Sequence, residues 1–515
     1  MAGRTVKRLS RSNKFVQNVI DFANVFKAFI GTNYLALAFA FEQSGLILGV
    51  IGLLVITMVT DHCCQLIVKC KYIVVNQIIS EFLTREGITD VASPRIGRLR
   101  KRLEKHLTYG DIARKAIGKW GLYLVNFALF FTQFFFCIAY MIFLGNTLQT
   151  DLFPFVNETS KALVNTKQYN LFDNSQNNSI VHVNKNARVT TAPVFAILVL
   201  FPLPLFLLFV LLRNVRNMGP ISVVANISIF VGYGVVLVTL VKDFAVDPDV
   251  KYFAIATFPV FFGAVSCAYE GIGTIIPIES SMAENRPKYP AFLHGSLLLL
   301  FTMLCSLGIL GYLKYGSDVE QILIQNLPSG SITSYIVNVT ICIGVAFTYP
   351  ITVYPIIEIL ENILFTEGRI FGQSLNTLVV NCDNDNERAP LLSSVSLSTE
   401  EIEISDLLPV AKSVPESVAS WKRNIVRVSV VLIQTGLAIV FKDQFVYINA
   451  INGSIGSTLL AYILPAVISI KLAGQDISRL VFAKNIFLIL FGILGGLSGL
   501  IVTIYNMVKH FQGKI

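Results

Sequence analysis

The chain has 515 residues, of which 54% are hydrophobic and 14% are charged, and it carries a formal net charge of +9. A soluble domain carries about 25% charged residues, so this composition, with a mean hydropathy of +0.65, excludes a soluble globular protein. Uncharged runs repeatedly reach the roughly 17 to 25 residues that a helix needs to cross the hydrocarbon layer. We expect these runs to be helices, because open strands leave backbone groups unpaired in lipid.

The pattern predicts an all-α polytopic membrane protein with eleven transmembrane helices. They lie near 20–42, 45–67, 121–148, 192–212, 219–241, 252–278, 291–313, 332–360, 424–441, 446–470 and 485–508. Basic residues but no cleavage site precede the first run, which is therefore predicted to be a retained span and not a signal peptide. The membrane domain accordingly extends over 20–508.

The positive charges predict the orientation of these helices. With residues 1–19 in the cytosol, about three quarters of the Lys and Arg residues fall on the cytosolic side, as the positive-inside rule requires. Residues 150–191 then form an outer loop, and the tail 509–515 also lies outside. Because this bias accounts for the net charge, the predicted partner is the lipid bilayer and not a nucleic acid.

The outer loop contains two Asn-x-Ser/Thr sequons, at Asn157 and Asn177, and we predict a glycan on each. Further sequons occur at Asn226, Asn338 and Asn452. These three lie inside predicted spans, where no glycan can be added.

The sequence gives no sign of a catalytic or metal centre. All eight cysteines fall in spans or cytosolic loops, so no structural disulfide is expected. The five histidines are scattered and no CxxC or HExxH spacing occurs, so neither a metal site nor a cofactor is predicted. Without a nucleophile or nucleotide motif, we do not expect an enzyme. Any movement of a solute across the membrane would then take its energy from an ion gradient or from the substrate's own gradient.

Two predicted spans contain interruptions. The first reads AFIGTNYLALAF from Ala28 to Phe39, and the sixth reads VSCAYEGIGTII from Val265 to Ile276. Unwound backbone at membrane depth is tolerated only against protein or a water-filled cavity, where its free amides and carbonyls become ligands. The alternative is that these glycines only allow close helix packing.

The two interrupted spans are five apart and therefore run in opposite directions. This is the pattern of two inverted five-helix repeats with a binding site near the bilayer midplane. Free N–H groups at Gly31, Thr32 and Asn33 suit an anion, and carbonyls near Ala268 and Tyr269 suit a cation. A zwitterion with a carboxylate and an amine fits both.

Several longer motifs point to a known family. They are NVFKAFIGT, SGLILGVIGLL, LTYGDIARKAIG, FFGAVSCAYEGIGTIIPIESSM, GYLKYGSDVEQILIQNLP and FTY. In their order and spacing, from about residue 15 to 505, they resemble the proton-coupled, solute carrier 36-like amino-acid transporters of the amino acid/auxin permease family. The resemblance implies a LeuT-like 5+5 inverted repeat with discontinuous helices 1 and 6 that carries small amino acids or related compounds.

The resemblance also implies site residues. Gly31 and Thr32 match the substrate loop of the first span, Glu270 matches the (F/Y)EG motif of the sixth span, and Thr348 matches FTY in the eighth.

The chain departs from the family pattern at three positions. Asn33 and Ala38 stand where the first-span pattern has glycine and proline, and Asn24 stands where close relatives have a histidine linked to proton coupling. Asparagine tolerates unusual backbone angles, so the break is expected to survive. The amide of Asn33 and the ring of Tyr34 add bulk and hydrogen-bonding groups near the ligand.

Glu270 is the candidate for proton coupling. A charged carboxylate in a membrane span is costly unless it is paired or neutral. Three roles stay open: Glu270 carries the coupled proton, holds the substrate's amine, or caps the unwound segment.

The predicted function is secondary active transport of a small amino acid or related zwitterion by alternating access, with a proton as the expected coupled ion. An amino-acid-sensing receptor with little net transport and a facilitator without ion coupling are the alternatives. Uptake scaled to the amount of protein in liposomes separates a transporter from a receptor.

The cytosolic segment 365–421 is acidic and rich in serine, a composition typical of disorder. Within it, ERAPLL has the spacing of an acidic dileucine sorting signal, formed by Glu387, Leu391 and Leu392. Clathrin adaptors read such signals in the cytosol, so the predicted location is either the lysosomal or endosomal membrane or the plasma membrane.

Overall fold

The computed structural model describes residues 2–87, 94–149, 192–211, 219–327, 332–365, 420–474 and 477–513. Within these ranges every regular element is helical. The α-helices are α1 (Ala2–Phe29), α2 (Leu37–Ser44), α3 (Leu46–Glu86), α4 (Pro94–His106), α5 (Tyr109–Ile117), α6 (Lys119–Thr147), α7 (Ala192–Leu200), α8 (Leu203–Leu211), α9 (Gly219–Val241), α10 (Phe258–Ala268), α11 (Ile272–Ser281), α12 (Tyr289–Tyr315), α13 (Ile332–Phe365), α14 (Ser420–Val440), α15 (Phe445–Asn452), α16 (Leu464–Ala473) and α17 (Arg479–Phe511). Two π-helices, Gly453–Ser457 and Leu459–Ile463, connect α15 to α16.

Eight helical segments of the described ranges are long and apolar enough to cross a membrane. Two shorter apolar helices, Phe195–Leu211 and Ile227–Val241, lie where the fourth and fifth spans are predicted. The chain is therefore an all-helical polytopic membrane protein, as its composition indicated.

Both predicted interruptions are present. α1 ends at Phe29, a 3₁₀ turn covers Thr32–Ala36, and α2 begins at Leu37. In the sixth predicted span, α10 ends at Ala268 and α11 begins at Ile272.

The two interrupted segments pack against each other in opposite directions. α1 contacts α11, whereas α2 contacts α10, so the first half of one segment meets the second half of the other. The approach is closest at the breaks, where a Cβ added to Gly271 would lie 2.7 Å from the carbonyl oxygen of Ala28. Glycine at position 271 therefore lets the two breaks touch.

Two predicted spans differ in detail from the structure. The run 192–212 contains two consecutive helices, α7 and α8, which meet at Phe201 and Pro202. Proline supplies no N–H and its ring clashes with the preceding turn, so Pro202 and Pro204 end the first helix there. α3 continues far beyond the predicted end at residue 67, because apolar residues at helical spacing remain buried as far as Phe82.

This extension of α3 carries a buried ion pair. The Lys71 ammonium lies 2.5 Å from Oε2 of Glu279 and 2.7 Å from the hydroxyl of Ser280, and the hydroxyl of Tyr72 also donates to Glu279. A buried charge left without its partner is strongly unfavourable. The pair therefore fixes the carboxyl end of α11 against α3.

We expect Gly453→Ala to lower the free energy of unfolding by about 1 to 3 kcal/mol, the usual range for overpacking. A Cβ at Gly453 would lie 1.8 Å from the carbonyl oxygen of Gly263, which belongs to α10. Thermal unfolding of the purified protein measures the change. Gly436→Ala is the control, since its Cβ would meet no atom within 4 Å, and equal melting temperatures for both variants would contradict this close contact.

Three predicted features lie outside the described residues. They are the glycosylation sites Asn157 and Asn177, the acidic segment, and the dileucine signal at Glu387, Leu391 and Leu392.

Candidate functional site at the two helix breaks

The first break leaves open space beside its glycine. Gly31 follows α1 in an extended conformation, with φ −134° and ψ −166°, which any residue can adopt. A Cβ added at this position would meet no atom within 4 Å. The predicted residues Gly31 and Thr32 therefore lie at the break, with open space beside Gly31, and the side chain of Thr32 is outside the described part of the structure.

Asn33 connects the two breaks. Its side-chain amide nitrogen donates to the carbonyl oxygen of Cys267, at 3.3 Å, and also lies 3.6 Å from the Cys267 sulfur. Its Oδ1 atom is buried and has no hydrogen-bond partner in the described ranges. Asn33 therefore links the first break to the second and leaves a free acceptor, which the glycine of the family pattern would not do.

Tyr34, the next residue of the same turn, contacts the fifth predicted span. Its ring packs edge-on against Tyr233, with 6.3 Å between the ring centroids, and its hydroxyl is buried without a described partner. A Cβ added to Gly232 would lie 3.5 Å from that hydroxyl, so the fifth predicted span contributes to the wall of the site.

The second break presents Ala268, Tyr269 and Glu270. Ala268 and Tyr269 are buried, and the Tyr269 hydroxyl lies 2.7 Å from that of Thr57 on α3. The backbone N–H of Glu270 donates to the carbonyl of Cys267, at 3.2 Å. The Oε2 atom of Glu270 is buried without a hydrogen-bond partner among the described residues.

The two breaks form two walls of the site. The tenth predicted span forms a third wall, which the sequence analysis missed. The side-chain amide of Asn452 donates to the carbonyl of Thr132, at 3.2 Å, and lies 3.5 Å from the sulfur of Cys267. Oδ1 of Asn449 is 3.9 Å from the same sulfur. Ser457 is close enough to interact with the Glu270 carboxyl. Three asparagines, one from the first predicted span and two from the tenth, thus converge on Cys267.

Much of this wall's hydrogen-bonding capacity is unused. In the described structure the unpartnered buried atoms here are Nδ2 of Asn449, Oδ1 of Asn452, and the hydroxyl of Ser454. Ser454 and Ser457 lie in a π-helix, a form that frequently marks functional sites. The signal in the sequence was INAINGSIGS, in which two asparagines three residues apart precede two serines inside an apolar span.

No hydrogen bond of the described residues joins Thr348 to this group. Its hydroxyl donates to the carbonyl of Gly344 within its own helix, at 2.7 Å. The structure therefore brings together the predicted residues of the first and sixth spans and leaves Thr348 apart from them.

The arrangement is suited to a small polar ligand. An unsatisfied buried donor or acceptor costs about 1 to 3 kcal/mol, and several such atoms lie at the breaks and in the neighbouring tenth span. A ligand with both donors and acceptors removes this cost. The part of the chain that the structure describes contains no group of His, Cys, Asp and Glu side chains suited to hold a metal ion.

Comparison with known proteins agrees with this geometry. The family described as "Transmembrane amino acid transporter protein" matches residues 18–82 and 88–507. "Amino acid transporter AVT3B" of Arabidopsis thaliana is 26% identical over 346 residues, which cover 66% of this chain and 70% of that protein. "Vacuolar amino acid transporter 4" of Saccharomyces cerevisiae is 24% identical over 457 residues, which cover 87% of this chain and 52% of that protein.

The family match extends over most of the chain and includes both helix breaks. None of these proteins is described as an enzyme. The chain belongs to the transmembrane amino acid transporter family, within the amino acid/auxin permeases that its sequence motifs resemble.

Proposed function

We propose that this protein moves a small amino acid or a related zwitterion across a membrane by alternating access. The observation that carries the proposal is the meeting of two helix breaks with unpartnered buried polar atoms on three walls. Such breaks at membrane depth are where secondary transporters bind substrate. The names of the relatives, which are amino acid transporters, support the substrate class.

The substrate's carboxylate would dock on the backbone amides of Gly31, Thr32 and Asn33. Its ammonium group would lie near the carbonyls of Ala268 and Tyr269. An ammonium group brings three donors and no acceptor, which suits these oxygens and the unpartnered Oδ1 of Asn33.

The architecture that we propose is the LeuT-like one with eleven helices. The eight long apolar segments, the two shorter ones and the interrupted first segment together account for that number. The antiparallel packing of α1 on α11 and α2 on α10 supports an inverted repeat. In this arrangement the half-helices would rock to expose the site to either side.

We further propose that Glu270 carries the coupled proton. Its buried Oε2 has no described hydrogen-bond partner, and no basic side chain is among its described contacts. A neutral carboxyl avoids the cost of an unpaired charge at membrane depth. Protonation and deprotonation here would therefore accompany a change in exposure of the site.

Counterflow of a radiolabelled amino acid into liposomes containing the purified protein tests the proposal. A panel of amino acids and polyamines, each in excess inside the vesicles, identifies the substrate. Uptake should exceed that of protein-free liposomes and should scale with the amount of protein. Specific binding of an amino acid without any counterflow would indicate a receptor and contradict transport.

For the outer loop we predict glycans on Asn157 and Asn177. Glycosidase treatment should increase the gel mobility of the wild-type protein and leave that of Asn157→Gln/Asn177→Gln unchanged. A mobility shift that persists in the double variant would contradict the proposed topology.

We predict that Leu391→Ala/Leu392→Ala moves the protein from intracellular vesicles to the cell surface. The reason is that adaptor binding to a dileucine signal needs both leucines. A relative described as vacuolar supports an internal membrane for the wild-type chain. Fluorescence microscopy measures the distribution, and an unchanged pattern would exclude this segment as the sorting signal.

A further inference from the structure

α4 has two chemically distinct faces. Ile96, Leu99 and Leu103 are buried against the protein, and α4 packs on α3 and α11. Arg100, Lys101 and Lys105 are exposed. We call these three residues the basic face of α4.

The basic face lies at the level of a membrane surface. Only Leu107 and Thr108 separate α4 from α5, which packs against the membrane helix α6. Near the start of α6, Trp120 is 75% exposed and stacks edge-on with Tyr123. Tryptophan and tyrosine are enriched at membrane–water interfaces, so α4 and α5 lie beside one.

That surface is the cytosolic one in the proposed orientation. The positive-inside rule places basic segments such as α4 in the cytosol. The cytosolic leaflet carries anionic lipids, and each nearby Lys or Arg strengthens attachment to them. The charge of the basic face is therefore complementary to the surface beside it.

α4 is also bonded to the interrupted sixth segment. The Glu104 carboxylate lies 2.6 Å from the guanidinium of Arg286, which also donates to the carbonyl of Ser280 at 2.9 Å. The Ser280 hydroxyl lies 3.0 Å from the carbonyl oxygen of Glu104 and 2.7 Å from the Lys71 ammonium. α4 thus holds the carboxyl end of α11, the half-helix next to the break.

We propose that the basic face of α4 binds the anionic headgroups of cytosolic-leaflet lipids and that the Glu104–Arg286 contact transmits this binding to α11. The lipid contact restrains α4, and α4 restrains α11 through the bonds to Ser280 and Arg286. The occupancy of the lipid site therefore changes how readily α11 moves, whatever substrate the protein carries.

The first experiment measures binding of a soluble short-chain phosphoinositide to the purified full-length protein. Removal of each basic residue should weaken binding about fivefold, so Arg100→Gln/Lys101→Gln/Lys105→Gln should weaken it about a hundredfold. Lys471→Gln/Arg479→Gln/Lys484→Gln is the matched control, because it removes three exposed basic residues elsewhere, and its affinity should be that of the wild type.

Three results would overturn the binding site. They are equal affinity in the α4 triple variant and the wild type, an equal loss in the control triple variant, and equally tight binding of a short DNA duplex. The last would indicate a general polyanion surface. A short-chain phosphatidylcholine, which has no net charge, should not bind.

The second experiment measures hydrogen exchange of the α11 amides with and without the phosphoinositide. In the wild type the lipid should slow exchange in both α4 and α11. In Glu104→Gln, which keeps the basic face and the bond from Ser280 to the backbone carbonyl of residue 104, the lipid should still bind and slow exchange in α4 but should slow α11 less than in the wild type. Slowing of α11 in Glu104→Gln equal to that in the wild type would overturn the proposed transmission. Neither experiment uses transport as its readout, so their outcome is independent of the proposed function.

Discussion

Gly31→Val should strongly reduce amino-acid counterflow while the protein keeps its wild-type melting temperature. The backbone at Gly31 is extended and a Cβ there meets no atom within 4 Å, so the fold accepts a side chain. The added carbons would occupy the space where the amides of the break must approach the ligand. Overfilling a closely fitted site costs about 1 to 3 kcal/mol, which weakens substrate binding by about 5-fold to 150-fold.

The control for this prediction is Gly436→Val. Gly436 is another glycine whose added Cβ would meet no atom within 4 Å, and it lies on the exposed side of α14. Counterflow and melting temperature should both match the wild type. Unchanged counterflow and affinity in Gly31→Val would place the substrate site elsewhere.

Glu270→Gln should preserve exchange of substrate and abolish its uphill accumulation. Glutamine resembles the protonated carboxyl and cannot release a proton. If Glu270 carries the coupled proton, substrate still binds and exchanges, but a pH gradient no longer drives accumulation. Exchange, gradient-driven uptake and melting temperature, measured on one preparation, test this result.

The other two roles of Glu270 give different results in the same assays. If the carboxylate holds the substrate's amine, the substitution weakens binding by about 1.5 to 3 kcal/mol, the range for a hydrogen bond to a charged group, and exchange falls as well. If the carboxyl supports the unwound segment, the melting temperature falls. Wild-type behaviour in all three assays would remove Glu270 from the mechanism and favour a facilitator.

The sequence located both helix breaks because poor helix formers stand out in an apolar run. Gly31 and Asn33 interrupt the first span, and Glu270 with Gly271 interrupts the sixth. Their opposed packing followed because the sixth span comes five spans after the first, an odd number. These features depend on local composition and chain order, which a single sequence contains.

The contribution of the tenth span could not be read in the same way. Asn449, Asn452 and Ser457 lie in a run that resembles ordinary close packing of small residues. The change from α-helix to π-helix after Asn452, which places Ser457, has no signature in the sequence. Their convergence on Cys267 is a long-range contact. Position along the chain does not reveal which side chains meet in this way.

The charged cluster around Lys71 was missed for another reason. Hydropathy marks the end of the apolar part of a helix, so the prediction ended near residue 67. The helix continues because Val74, Ile78 and Phe82 bury a stripe against neighbouring helices. Lys71 is buried along with them and is paired with Glu279.

The most direct test of the central claim is an electron cryo-microscopy structure of the wild-type protein with the amino acid that shows the strongest counterflow. We expect density for the ligand between the two helix breaks, with its carboxylate at the amides of Gly31, Thr32 and Asn33 and its amine towards the carbonyls of Ala268 and Tyr269. A well-defined ligand bound away from both breaks, in a preparation that transports it, would contradict the account.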